Sequence, residues 1–244
     1  MKKQTCFSVP AIALTAILMS IIPTHAQIVW SSAQNVATDS DVKTNGTYFD
    51  AALLLSGANA GNALTVNGVV FNLIASGTSD ALDPSGDIEL TSQRNAAAGV
   101  GSSNLSATAA YNTLLESPVY AIGAAQILTL NNLVVGDTYQ VEVWSSTGRT
   151  GSFITDFSGT TPVSLNSNTQ QYAVGTFVAS SDTLSVDATA GAGSQASASI
   201  FNAVSVFNES ESQGAVPEPS TYTLVFAGLL TLGVLQFRRK SQAL

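Results

Sequence analysis

"LNNLVVGDTYQVEVW", Leu130 to Trp144, is the stretch whose reading decides the fold. Gly136-Asp137 is a turn signal, since Gly tolerates backbone angles closed to other residues and Asp bonds its own backbone. Thr138 to Trp144 then alternates, and it is rich in β-branched and aromatic residues, as a strand is. Tyr139, Val141 and Val143 share one face; Gln140, Glu142 and Trp144 share the other. A Tyr placed directly after such a turn looks like a tyrosine corner of Greek-key sandwiches, its phenol closing back on nearby backbone. Tyr139 is therefore read as structural.

The same grammar continues outward. Short alternating runs predict strands near residues 28–30, 47–55, 126–131, 138–144, 152–157 and 171–179. Leu64 to Ile74 (LTVNGVVFNLI) predicts a hairpin turning at Asn67-Gly68. Thr183 to Ala188 alternates with Leu184, Val186 and Ala188 inward. Ile200 to Phe207 is apolar on both faces and predicts one central strand. A helix is expected over Ala107 to Glu116, stopped by Pro118. Residues 75–104 read as a long loop or a loop with a minor strand, and 209–215 as a polar linker. Without an internal repeat or a central linker, this predicts an all-β fold: one jelly-roll-like β-sandwich over residues 27–208.

The two ends are read separately. Residues 1–26 have the parts of a signal peptide: Lys2 and Lys3, the apolar run Ala11 to Ile22, and small residues at Thr24 and Ala26. Its removal would take the sole Cys, Cys6, and the sole His, His25. That excludes Ser-His-Asp and Cys-His catalysis and His or Cys zinc sites from the mature chain. Between Gln27 and Ala215 fifteen acids face only Lys43, Arg94 and Arg149, a net charge of −12. Such a surface argues against nucleic acid as a partner.

At the other end, Thr221 to Phe237 holds 17 residues without a charge. As a helix it would be about 25 Å long, the short end of a membrane span. Arg238, Arg239 and Lys240 follow at once, as the positive-inside rule asks of a chain left in the membrane. Val216-Pro217-Glu218-Pro219-Ser220-Thr221, the apolar run and the basic cluster together resemble the PEP-CTERM sorting tail of Gram-negative bacteria. The resemblance covers about 25 residues, 216–244 in its widest reading. It implies an exosortase partner that recognises Pro217, Glu218 and Pro219 and removes the helix. It also implies an inner-membrane intermediate, then delivery to the cell surface or extracellular matrix. The middle of the chain resembles, less distinctly, secreted carbohydrate-binding, galactose-binding-like sandwiches.

Three sets of candidate residues follow. Trp144, on a polar strand face with Glu142 and with Arg149 in the next loop, has the makings of a sugar platform; Trp30 and Tyr120 are weaker versions. Asp80, Asp83 and Asp87, followed by Glu89, could hold a structural calcium ion, although their spacing is not that of an EF-hand. No other cofactor is expected, and no catalytic residue is assigned. The expectation is a non-enzymatic surface or matrix protein with extracellular polysaccharide as partner. Two alternatives stay open: a carboxylate-dependent glycoside hydrolase or lyase, and a purely structural protein with protein partners.

Overall fold

A computed structural model describes residues 27–54, 63–74, 80–91, 95–96 and 107–210. The expected signal peptide, Pro217-Glu218-Pro219, the apolar run 221–237 and Arg238, Arg239 and Lys240 lie outside the described residues.

In chain order the strands are β1 (Val29–Trp30), β2 (Gln34–Asn35), β3 (Thr47–Leu53), β4 (Ala63–Val66), β5 (Val69–Leu73), β6 (Asp80–Leu82), β7 (Ile88–Thr91) and β8 (Asn95–Ala96). After helix α1 (Ala109–Leu115) come β9 (Val119–Ile122), β10 (Gln126–Leu130), β11 (Thr138–Ser145), β12 (Ile154–Phe157), β13 (Val163–Asn166), β14 (Gln171–Val178), β15 (Leu184–Ala190), β16 (Ala198–Phe201) and β17 (Ala203–Asn208). They form an eight-stranded sheet ordered β1-β14-β11-β17-β3-β5-β4, with β2 also on β14. A six-stranded sheet runs β13-β12-β15-β10-β7-β6, and a small sheet β16-β9-β8. Pairing is antiparallel except between β3 and β5.

Local chemistry explains the turns. Asn67 and Gly68 both take positive φ, at 48° and 81°, and Val66 pairs with Val69 across them. That is the type I′ geometry matching strand twist. The Tyr139 phenol oxygen accepts the Val134 N–H at 2.9 Å, which closes the corner before β11. The Tyr139 ring stacks on Phe177 and meets Phe49 edge-on.

Two apolar clusters lie on opposite faces of the eight-stranded sheet. One joins Tyr139, Val141 and Val143 to Leu128, Leu130, Val186 and Phe157 of the six-stranded sheet. The other packs Trp144, Phe71, Leu53, Ala203 and Tyr172 under Tyr111, Leu114 and Leu115 of α1. The expected polar face of β11 is therefore not a surface, because the helix and the segment around Val42 form a third layer over it. Thr108 caps that helix, its hydroxyl accepting the Tyr111 N–H at 3.2 Å. Asp39 in turn anchors Thr108, accepting its N–H at 2.9 Å and its hydroxyl at 2.6 Å.

The expected single strand from Ile200 to Phe207 is broken at Asn202. Residues before it pair with β9 and residues after it pair with β11 and β3. Buried Asn202 meets every demand of that crossing. Its Oδ1 accepts the Ser146 N–H at 2.7 Å, and its Nδ2 donates to the Leu115 carbonyl at 2.9 Å. Its backbone N–H donates to the Trp144 carbonyl, and its carbonyl accepts the Leu54 N–H. The expected loop 75–104 holds three short strands among its described residues, β6, β7 and β8.

Candidate functional site

The small sheet builds a groove. In β9, Tyr120 and Ile122 point to the same side, and in the paired register Ile200 stands opposite Tyr120 and Ala198 opposite Ile122. These four side chains make an apolar floor. Gly148-Arg149-Thr150, Phe153, Gln195 and Ala196 form the surrounding wall. The cavity is about 530 Å³, and among the described residues no Asp or Glu lines it. Ile122 is 53 % exposed, an apolar side chain on the groove's lining.

Arg149 is held in place in three ways. Its guanidinium carbon lies 4.9 Å from the Tyr120 ring centroid, a cation–π contact. Its backbone N–H donates to the Thr147 hydroxyl at 3.2 Å. Its carbonyl accepts from the Asn168 side-chain amide at 2.7 Å, while the same amide's oxygen accepts the Phe153 N–H at 3.0 Å. Asn168 thus clamps the two ends of the wall. The Gln195 side chain closes over Gly151, where a Cβ would collide with it, and the Gln195 N–H donates to the Ser152 carbonyl at 2.6 Å.

Of the three residues expected as a sugar platform, only Arg149 stands here. Trp144 has no exposed surface, and its indole N–H donates to the Tyr111 phenol at 3.0 Å. A ring enclosed on both faces offers nothing to a pyranose, so the expected open face at Trp144 is corrected. Glu142 is 1 % exposed. Its Oε2 accepts the Lys43 N–H at 3.0 Å, and its Oε1 is buried without a hydrogen bond. Burial pushes this carboxyl up to about 8; the Lys43 N–H and ammonium pull it down, and Asp41 adds a smaller upward push. Glu142 therefore carries its proton at neutral pH. Trp30 is also core, its N–H donating to the Ser158 carbonyl at 2.9 Å.

The acidic residues expected to hold calcium have these places. Asp80 opens β6 opposite Thr91. Asp87 accepts from the Asn132 amide at 2.7 Å. Asp83 is buried and accepts the N–H groups of Ser85, Gly86 and Ile88 at 3.0, 2.9 and 3.1 Å. Its oxygens serve its own turn. Among the described residues no group of three or more His, Cys, Asp or Glu side chains gathers as a metal site.

The structure pairs Asp83 instead with Asp50 of β3, also buried. The Ser85 hydroxyl lies 2.7 Å from an oxygen of each. One hydroxyl has one hydrogen, so it donates to one carboxyl and accepts from the other, which must carry a proton. Burial first, and Asp83 second, push Asp50 up to about 7. Burial also pushes Asp83 upward, but hydrogen bonds from Asp50, Ser85 and backbone outweigh it and hold that carboxyl below its ordinary value.

The wall residues Thr150, Phe153 and Gln195 carry no signal of their own in the sequence. The nearest hint is the pair Gly148 and Gly151 bracketing Arg149, one of only three bases in the acidic middle.

The family model of the PEP-CTERM protein-sorting motif matches residues 215–240. No curated protein and no solved structure matches the chain. Among the described residues no helix is long and apolar enough to cross a membrane.

Proposed function

We propose that the chain is an exported cell-surface or extracellular-matrix protein whose jelly-roll-like sandwich binds or packs with extracellular polysaccharide and catalyses no reaction. The sorting motif at residues 215–240 is the observation that carries this reading. A tail of this kind implies an exosortase acting at Pro217-Glu218-Pro219. Before that, residues 221–237 would hold the chain in the inner membrane of a Gram-negative bacterium, with Arg238, Arg239 and Lys240 on the cytoplasmic side. The groove over Tyr120 supports the polysaccharide half. Its volume suits a small polar ligand. Its polar groups are those that bind sugar substituents, and among the described residues no carboxylate lines it.

Cell fractionation tests the reading. Cells producing the full chain should release a shortened form to the surface or medium. Cells producing the triple variant Pro217→Ala, Glu218→Ala, Pro219→Ala should keep an intact form in the membrane fraction. If both chains remain intact in the membrane, the sorting reading fails.

A further inference from the structure

We propose that the groove selects a carboxylated sugar, a uronate residue of an acidic polysaccharide, with Arg149 as its recognition group. This rests on the polysaccharide-binding reading above and narrows it.

The usual way to hold a neutral pyranose is an open aromatic face. Here that face is taken, because the Arg149 guanidinium lies 4.9 Å from the Tyr120 ring centroid. The ring's other neighbours are Phe153, Ala198 and Ile200, on which it packs. What the groove presents beside that ring is the guanidinium group. Among the described residues that group makes no ion pair and donates no side-chain hydrogen bond. A guanidinium held against a ring still carries its N–H fork, and the fork matches a carboxylate bidentately. Asn168 holds the Arg149 backbone and the Tyr120 ring holds its guanidinium before any ligand arrives, so less freedom is lost on binding.

Charge sharpens the choice. The chain's middle carries −12, yet among the described residues no acid lines this groove. It is the one described cavity that places a guanidinium over an aromatic ring. One guanidinium balances one negative charge. A dianionic phosphate would ask for a second cation, and among the described residues none lines the groove. The planar fork favours a carboxylate over a tetrahedral sulfate ester. Beside Arg149, the exposed Ile122 offers an apolar surface for the C–H face of a sugar ring, and Gln195 and Thr150 offer partners for hydroxyls. Tyr120 acts as a positioning residue, holding Arg149 and not the sugar.

Calorimetry on the full chain in mild detergent tests this, with four probes: an α-1,4-linked galacturonate tetramer, its methyl ester, a neutral dextran oligomer and a sulfated dextran oligomer. The tetramer should bind. Its methyl ester should bind at least about tenfold more weakly, the loss of a charge-assisted hydrogen-bonded pair. Arg149→Gln should lose a similar factor with an unchanged melting temperature, and Arg149→Lys, which keeps the charge but not the fork, should fall between. Tyr120→Phe should bind like the original and Tyr120→Leu should not. Equal binding of acid and ester, or binding of only the neutral or sulfated probe, overturns the uronate inference and leaves polysaccharide binding standing. Full binding by both Arg149 variants also overturns it, by placing the site elsewhere. If none of the four probes binds, the polysaccharide reading itself falls.

Discussion

The indole N–H of Trp144 donates to the phenol oxygen of Tyr111 at 3.0 Å, across 33 residues of sequence, and both side chains are wholly buried. The bond ties the central strand β11 to the helix above it, while Phe71 meets the same indole edge-on at 5.6 Å. Tyr111→Phe keeps the ring and removes only the acceptor. It leaves an orphaned buried N–H, which costs about 1–3 kcal/mol. Urea denaturation should show a lower midpoint with an unchanged slope. An unchanged midpoint would mean that the bond contributes nothing.

Stability should depend on pH in an unusual direction. Glu142 and Asp50 are acids whose folded values, about 8 and about 7, lie above their unfolded ones. Each holds its proton more tightly when folded. Its stabilising contribution is complete below the unfolded value, about 4, and is lost as pH rises through the folded value. Asp83 is held low, so its contribution is present above about 4 and is lost in stronger acid. The melting temperature should therefore rise as pH falls from about 9 to about 5, and then decline below about 4. Glu142→Gln, neutral at every pH, should flatten the alkaline part of that profile. A profile that climbs steadily toward pH 9 contradicts the buried protons.

Gly175 faces Trp30 in the neighbouring strand. A Cβ there would stand 2.7 Å from the indole Cε3 and would also meet the Ile28 side chain. Both neighbours are buried, so neither can swing into solvent. Gly175→Ala should cost about 1–3 kcal/mol by overpacking. Scanning calorimetry should show the loss, and adding Trp30→Leu should recover part of it. An alanine variant as stable as the original would show that this edge of the sheet yields freely.

What the sequence discloses here is what local chemistry settles. Asn67-Gly68 makes its turn from its own backbone preferences, and Tyr139 reaches an N–H only five residues away. Trp144 was beyond such reasoning. Alternation tells which residues share a face, and it does not tell whether a second layer covers that face. The covering residues, Tyr111 and Leu114, sit about 30 positions upstream. Polar Gln140 and Glu142 on the same face made it look wet, yet both are buried. The break at Asn202 was hidden for a related reason, because a buried Asn with four backbone partners is indistinguishable in sequence from a polar residue on a strand edge. The Asp50–Asp83 pair joins segments 33 residues apart. The groove gathers Tyr120, Arg149 and Gln195 from three separate segments; Arg149, rare by charge, and Tyr120, an aromatic, are legible as candidates in the sequence, and Gln195 is not.

The central claim, that this sandwich engages extracellular polysaccharide, is tested most directly by affinity electrophoresis. The full chain would be run through native gels containing polysaccharide isolated from the producing cell's own matrix. The account predicts that the original chain is retarded in proportion to polysaccharide concentration, and that Arg149→Gln migrates nearly as in an empty gel. Equal, unretarded migration of both chains at every concentration would contradict it.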